Sequence, residues 1–283
     1  MKKYIKIYKY IGFFFLFTIL FLPLVFLLSK TPSLDRNWNL DQKILPEISF
    51  SGNIVSIKNV RNFDYKSTSD YIVNYYDRDY ILDDINSLYY IIEPFSNYDG
   101  PAHTMMSFGF SNGDYLTISA EIRKEVGESF SAVKGLFRGY ELVYMIGDEK
   151  DLVKLRANYR GDDVIMYPIK TDKENIKNIF VSMLKRADYL TKNPEFYNTI
   201  TNNCTTSILK HANEIRQSTN KSKIGWSIYT FLPSRSDTVI YDLGLIDTSM
   251  TLEQAREYYK INDLSENFGD HIEYSKFIRK ERK

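Results

Sequence analysis

The strongest pattern along the chain is an apolar run, IGFFFLFTILFLPLVFLLS, which fills positions 11–29 with 19 uncharged residues. A helix rises about 1.5 Å per residue, so this run approaches the ~30 Å hydrocarbon thickness of a bilayer. After it the pattern breaks into short alternating segments. Residues 53–65 place Val55, Ile57 and, after a slip, Val60 on one face, which predicts a strand. Residues 71–80 and 88–92 predict two more. The second is wholly apolar and so central, and Glu93-Pro94 ends it. Residues 103–110 and 115–122 flank Ser111-Asn112-Gly113-Asp114, and Asn-Gly between alternating runs predicts a β-hairpin. Residues 141–147 and 164–169 add strands. Helical spacing follows Asp172: Ile176, Ile179, Phe180, Met183, Leu184, Ala187 and Leu190 recur on one face until Asn193-Pro194. A second amphipathic helix covers 204–216, with Ile208, Leu209, Ala212 and Ile215 inward. Thr251 and Gln254 have capping-box spacing at the start of a short helix over 251–260. The expected body is α+β: one antiparallel sheet with helices packed on it.

Charge adds direction to this picture. Lys+Arg number 37 and Asp+Glu 36 in 283 residues, yet the balance is uneven. Lys2, Lys3, Lys6 and Lys9 precede the apolar run, and five basic residues crowd the last eight positions. The stretch 10–275 carries a net charge of −7. An acidic middle argues against a nucleic-acid partner. The run 11–29 lacks a small-x-small cleavage site and a nearby lipobox cysteine, so it reads as an uncleaved signal anchor rather than a signal peptide. The preceding lysines stay in the cytoplasm and place the body outside the inner or plasma membrane. The expected organisation is a basic tail (1–10), a transmembrane anchor (11–29), a linker (30–50), an extracytoplasmic body (51–250), and a C-terminal helix with a basic tail (251–283).

Candidate chemistry centres on the single cysteine. With one Cys there is no intramolecular disulfide, no multi-cysteine metal site and no iron–sulfur site, and no cofactor is expected. Small polar residues surround it in Thr201-Asn202-Asn203-Cys204-Thr205-Thr206-Ser207, just before an apolar helical stripe. Cys204 thus falls in the first turn of a helix. Free N–H groups and the positive dipole end there favour a thiolate and can hold an oxyanion. The simpler alternative is a small buried filler. A nucleophilic thiol needs a base. His271 lies in a polar tail. His211 sits two turns along from Cys204, about 10.5 Å away in rise, beyond hydrogen-bond reach. His103 starts a strand whose partner carries Ser119 and Glu121. A hairpin packed under the cysteine helix would bring that histidine to the thiol with a polar orienter. A two-residue turn would pair His103 with Ile122, whereas a three-residue turn would put it on the face of Ser119 and Glu121. Arg138, Tyr159 and Arg160, with Asn203, can orient a phosphate or carboxylate on a substrate, although surface salt bridges are the simpler explanation of the arginines.

Several motifs occur in order along the chain: Ala102-His103-Thr104, Tyr115-Leu116-Thr117-Ile118-Ser119-Ala120-Glu121, Gly127-Glu128-Ser129-Phe130-Ser131, Gly135-Leu136-Phe137-Arg138-Gly139-Tyr140-Glu141-Leu142, Asn158-Tyr159-Arg160-Gly161, and Phe196-Tyr197-Asn198 leading into Thr201-Asn202-Asn203-Cys204-Thr205-Thr206. Over roughly residues 53–247 the chain resembles the Lnb N-terminal periplasmic domain family, long known only as a domain of unknown function. The His-before-Cys order is also similar to the circularly permuted NlpC/P60 papain-like enzymes, a group that includes lipid acyltransferases. The resemblance implies a papain-like fold, Cys204 as nucleophile and His103 as its base. It also implies a polar third residue on the following strand, Ser119 or Glu121, and a link to lipoprotein N-acylation.

The expected activity is that of a membrane-anchored, extracytoplasmic thiol acyltransferase or hydrolase. It would work through a thioester on a membrane lipid or lipoprotein. A peptidoglycan peptide hydrolase and a non-catalytic envelope-binding module are the two rivals.

Overall fold

The computed structural model describes residues 27–280 except 96–99, 247 and 269–272, together with scattered positions between 10 and 25. Most of the run 11–29 therefore lies outside the described residues, as does His271. The described positions of that run are helical, and among the described residues no helix is long and apolar enough to cross a membrane.

The strands are β1 (Glu47–Ser51), β2 (Ile54–Arg61), β3 (Asp64–Tyr65), β4 (Tyr71–Ile72), β5 (Tyr75–Ile81), β6 (Ile85–Pro94), β7 (Ala102–Phe110), β8 (Tyr115–Arg123), β9 (Glu141–Gly147) and β10 (Ile165–Pro168). The helices are α1 (Leu40–Lys43), α2 (Ala132–Leu136), α3 (Glu149–Lys154), α4 (Lys173–Leu190), α5 (Cys204–Ser218), α6 (Ile228–Phe231), α7 (Asp237–Asp242), α8 (Leu252–Tyr259), α9 (Asn262–Glu266) and α10 (Tyr274–Phe277). A π-helical turn, Leu155–Arg160, continues α3 and ends at Gly161, whose φ of +70° suits a residue without a Cβ.

The main sheet runs β1-β2-β9-β8-β7-β6-β10, with β5 also paired to β2. Its ladders are antiparallel except for the β2–β9 bridge at Arg61 and Gly147. The α+β class with a mostly antiparallel sheet is therefore as the pattern predicts. The apolar segment 88–92 lies in β6, paired on both sides and covered on both faces, which is why it has no polar alternation.

Helices cover both faces. On one, α4 and α5 pack over Met106, Phe108, Ile118 and Tyr144 and bury Ile176, Phe180, Met183 and Ile208. Asp172 caps α4 by accepting from Asn175 N, as the start signal suggests. On the other face, α3, the π-turn, α9 and α10 bury Ile91, Met105, Val153, Ile261, Phe268 and Tyr274. The C-terminal segment thus packs into the core. Within the basic tail, Arg279 makes a bidentate pair with buried Glu149, with its guanidinium over the Tyr89 and Tyr115 rings. The segment 30–50, read as a linker, packs on the body through Trp38, bridged to Glu125, and through Gln42, which donates to Ile122 O. Its mixed polarity hides these contacts because each is made by a single side chain rather than by a periodic face.

Candidate active site

The β7–β8 hairpin sets the geometry. Phe110 N donates to Asp114 O, so the turn holds three residues, Ser111, Asn112 and Gly113, with Gly113 at φ +87°. This is the alternative that puts His103 on the face of Ser119 and Glu121. The β7–β8 ladder runs only from Gly109–Tyr115 to Met106–Ile118. Beyond it, β7 stays paired with β6 as far as Ala102–Pro94, and β8 with β9 as far as Arg123–Glu141. The sheet therefore forks at this end. Ala102, His103, Ala120, Glu121, Ile122 and Cys204 line a cavity of about 420 Å³ there.

The fork matters because strand alternation alone would separate the two key residues. Thr104 faces α5, where its hydroxyl meets that of Thr205 at 3.2 Å. His103 points to the other face, toward Ser119 and the π-turn. The cysteine helix does pack on the hairpin as expected, but the imidazole lies on the hairpin's far side. The two residues share only the lining of the cavity at the fork. Cys204 Sγ lies 3.9 Å from the carbonyl oxygen of Ala102, one residue from His103. Among the described residues no hydrogen bond joins Cys204 to His103 directly.

Cys204 is 6% exposed and occupies the first position of α5. Asn203 is the N-cap. Its side chain accepts from Thr206 N at 2.8 Å, and Thr206 Oγ1 accepts from Asn203 N at 2.8 Å. This reciprocal box satisfies the amides of Asn203 and Thr206. The amides of Cys204 and Thr205 bind no acceptor among the described residues. Asn203, proposed from the sequence as a substrate contact, is thus engaged in capping, and its Nδ2 donates to Thr199 O.

A chain of polar contacts orients His103. Its Nε2 lies 2.6 Å from Ser119 Oγ, and Ser119 Oγ donates to Glu121 Oε1 at 2.8 Å. Glu121 also accepts from Arg156 Nη2 at 2.8 Å and from Gln42 Nε2 at 3.0 Å. Ser119 has one hydroxyl proton and gives it to the carboxylate, so it can only accept from the imidazole. This network assigns the imidazole proton to Nε2 and leaves the Nδ1 lone pair as the basic site. Ser119 and Glu121, between which the sequence does not decide, are linked in series to His103.

Its surroundings keep the imidazole neutral. Burial, aided by the Arg156 and Arg160 charges and opposed by Glu121, pulls the His103 pKa down to about 3. Burial alone would raise Glu121, but Arg156, His103, Arg61 and the Ser119 hydroxyl hold its carboxyl well below the usual range. Glu93 receives Arg156 Nε at 2.6 Å and Arg160 Nη1 at 3.2 Å, yet burial pushes it up to about 7 against both.

The other sequence candidates separate. Arg160 lines the cavity and is held by Glu93. Tyr159 packs on Tyr65, with ring centroids 5.8 Å apart, away from the cavity lining. Arg138 is also outside it. Its Nη1 donates to Leu28 O at 3.3 Å, and its guanidinium lies over the Phe196 ring. Among the lining residues that carried no sequence signal as site residues, Tyr197, Arg61 and Arg156 stand out. Tyr197 is buried beside Cys204, and burial raises its phenol, so it stays protonated. Arg61 and Arg156 are also missed, because their roles depend on partners 90 and 35 or more residues away.

The sequence model of the Lnb N-terminal periplasmic domain matches residues 71–263, which takes in the forked hairpin, the π-turn and the cysteine helix. The chain belongs to this family. As a periplasmic domain, the body of this Lnb-family chain is extracytoplasmic. No curated protein and no solved structure matches it.

His211 has a separate role in the Lnb fold. It is buried, with Nε2 2.9 Å from Tyr144 Oη and Nδ1 2.7 Å from Ser182 Oγ, and it does not line the Cys204 cavity. His211→Ala is expected to lower unfolding stability at pH 7 by about 1–3 kcal/mol, the cost of orphaned buried partners, and to leave Cys204 alkylation unchanged. Urea melts and iodoacetamide rates read the two effects separately.

The same residue gives a pH signature. Burial lowers its pKa to about 4, so between the unfolded value near 6.5 and 4 the unfolded chain binds a proton that the native chain refuses. Stability therefore falls as pH falls through this window. His103 contributes in the same direction and the raised Glu93 in the opposite one. Urea melts at pH 5 and pH 6 are expected to show the slope shrink by about 1 kcal/mol per pH unit in His211→Ala. An unchanged slope would mean that His211 titrates normally in the fold.

Proposed function

We propose that this Lnb-family chain is a membrane-anchored, papain-like thiol enzyme that transfers or hydrolyses acyl groups through a thioester on Cys204. One observation carries the reading: a helix-start thiol with two free amides shares a cavity with a histidine whose tautomer leaves Nδ1 basic. In the proposed cycle Sγ attacks the acyl carbonyl and His103 Nδ1 takes the thiol proton. The Cys204 and Thr205 amides, with the Tyr197 phenol, face the developing oxyanion. Collapse breaks the carbonyl–oxygen bond of the donor, and His103 returns the proton to the leaving alcohol. A lipoprotein α-amine or water then attacks the thioester and His103 takes its proton. Collapse breaks the carbonyl–sulfur bond, the amide or free fatty acid leaves, and the proton passes from His103 back to Cys204. Contacts between thiol and base are commonly long before substrate binds, and the fork is the route along which they close.

The acyl donor proposed is a membrane lipid. The cavity has an aromatic rim, Phe95 and Phe130, over a charged floor of Arg61, Arg156, Arg160 and Asp162. This suits a molecule with an apolar part and an anionic or zwitterionic head. The charged floor alone also suits a wall peptide, which keeps a peptidoglycan peptidase as the second reading. Incubation of the full chain with phospholipid vesicles, and separately with peptidoglycan fragments, distinguishes them. Lysophospholipid or free fatty acid released from the vesicles is expected. Cleaved peptide with intact lipid would favour the peptidase, and no product from either would favour a binding module.

A further inference from the structure

We propose that the segment 126–137 dips into the outer leaflet of the membrane and seats the mouth of the Cys204 cavity on the bilayer. This rests on the lipid-enzyme reading and adds the route by which a lipid reaches the thiol. Val126, Phe130, Val133, Leu136 and Phe137 are each between 36% and 65% exposed, all within twelve residues. So dense an apolar cluster on one short segment marks an interaction surface rather than scattered exposure.

Two observations identify the membrane as its partner. First, the segment meets the end of the apolar run 11–29. Arg138 Nη1 donates to Leu27 O at 3.5 Å and to Leu28 O at 3.3 Å, and Lys30 Nζ donates to Phe137 O at 3.5 Å. The point where the predicted anchor leaves the bilayer is therefore the point where these side chains are displayed. Basic groups border them: Arg138 at those carbonyls and Lys134 paired with Glu128. Apolar side chains with flanking cations are the composition of an interfacial element. Second, the same segment forms the cavity's rim. Phe130 lines the cavity and packs against Phe95, with ring centroids 6.0 Å apart. A lipid sliding out of the leaflet past these rings enters the chamber that holds His103 and Cys204. The opposite end of the β7–β8 hairpin, at Asn112, lies about 27 Å away along the strand and points to solvent.

The test is a depth measurement on the full chain in phosphatidylethanolamine/phosphatidylglycerol vesicles. In a Cys204→Ser background, single cysteines at Val133→Cys, Phe137→Cys and Asn112→Cys carry a nitroxide. Collisions with oxygen, enriched in lipid, are compared with collisions with a water-soluble nickel chelate. Labels at 133 and 137 are expected to favour oxygen several-fold over the label at 112. Nickel-dominated collisions at 133 and 137, matching those at 112, would overturn the proposal. So would protection from both reagents with spin–spin broadening, which would mean that a second copy covers the surface. Two labelled positions guard against one failing to fold. With serine at 204 no chemistry is involved, so aqueous labels would refute the seat alone, while lipid-facing labels without acyl transfer in the parent chain would refute the enzyme reading alone.

Discussion

His103→Ala is expected to reduce acyl turnover by about 10²–10⁴-fold, the usual worth of a positioned general base, and Cys204→Ser to abolish it. Both variants are expected to keep the fold. His103 contributes to the site through one ring edge anchored on Ser119 and the other left open. Its alanine variant should therefore also alkylate more slowly with iodoacetamide near pH 7, because nothing remains to take the thiol proton. His211→Ala is the control, since its imidazole is committed to Tyr144 and Ser182. Equal slowing in the two histidine variants would move the base elsewhere. No slowing in either would leave Cys204 without a partner.

Arg156→Ala is expected to be the most destabilising single change near the site, at about 3–5 kcal/mol, because it strands buried carboxylates. The Arg156 side chain is 3% exposed and donates to Glu93, Glu121 and Leu152 O. Without it Glu121 loses its main counter-charge, and the Ser119 link that fixes the His103 tautomer loosens. Glu93, already pushed up to about 7 by burial, can take a proton, so the penalty should grow as pH rises above 7. Arg156→Lys keeps a charge but not the fork of donors and should recover only part of the loss. Urea melts at pH 6 and pH 8 measure this. A cost below about 1 kcal/mol for Arg156→Ala would mean the carboxylates find other partners.

The chain wrote its periodic elements plainly. The hairpin, the 88–92 core strand and the helices opening at Asp172, Cys204 and Thr251 follow from alternation and caps, since these signals are local in sequence. Cys204 at a helix start and the Ser119–Glu121 face were legible for the same reason. The fork was not. It exists because β7 and β8 follow different outer partners past Met106 and Ile118, and pairing preferences of that kind leave no local mark. Arg61 and Arg156 were equally silent. A buried arginine reads as a surface one until Asp151 or Glu93 is placed beside it. Arg138, a candidate to orient an anionic substrate group, instead turns its guanidinium to the carbonyls at 27 and 28.

The central claim is that Cys204 carries an acyl group in turn with His103. Intact and peptide mass analysis of the full chain, quenched in acid after brief incubation with phospholipid vesicles, tests it most directly. The expected result is the mass of one acyl chain on the peptide containing Cys204, removed by hydroxylamine and missing from Cys204→Ser and His103→Ala. An unmodified Cys204 peptide while lysophospholipid accumulates, or an equal adduct in His103→Ala, would contradict the account.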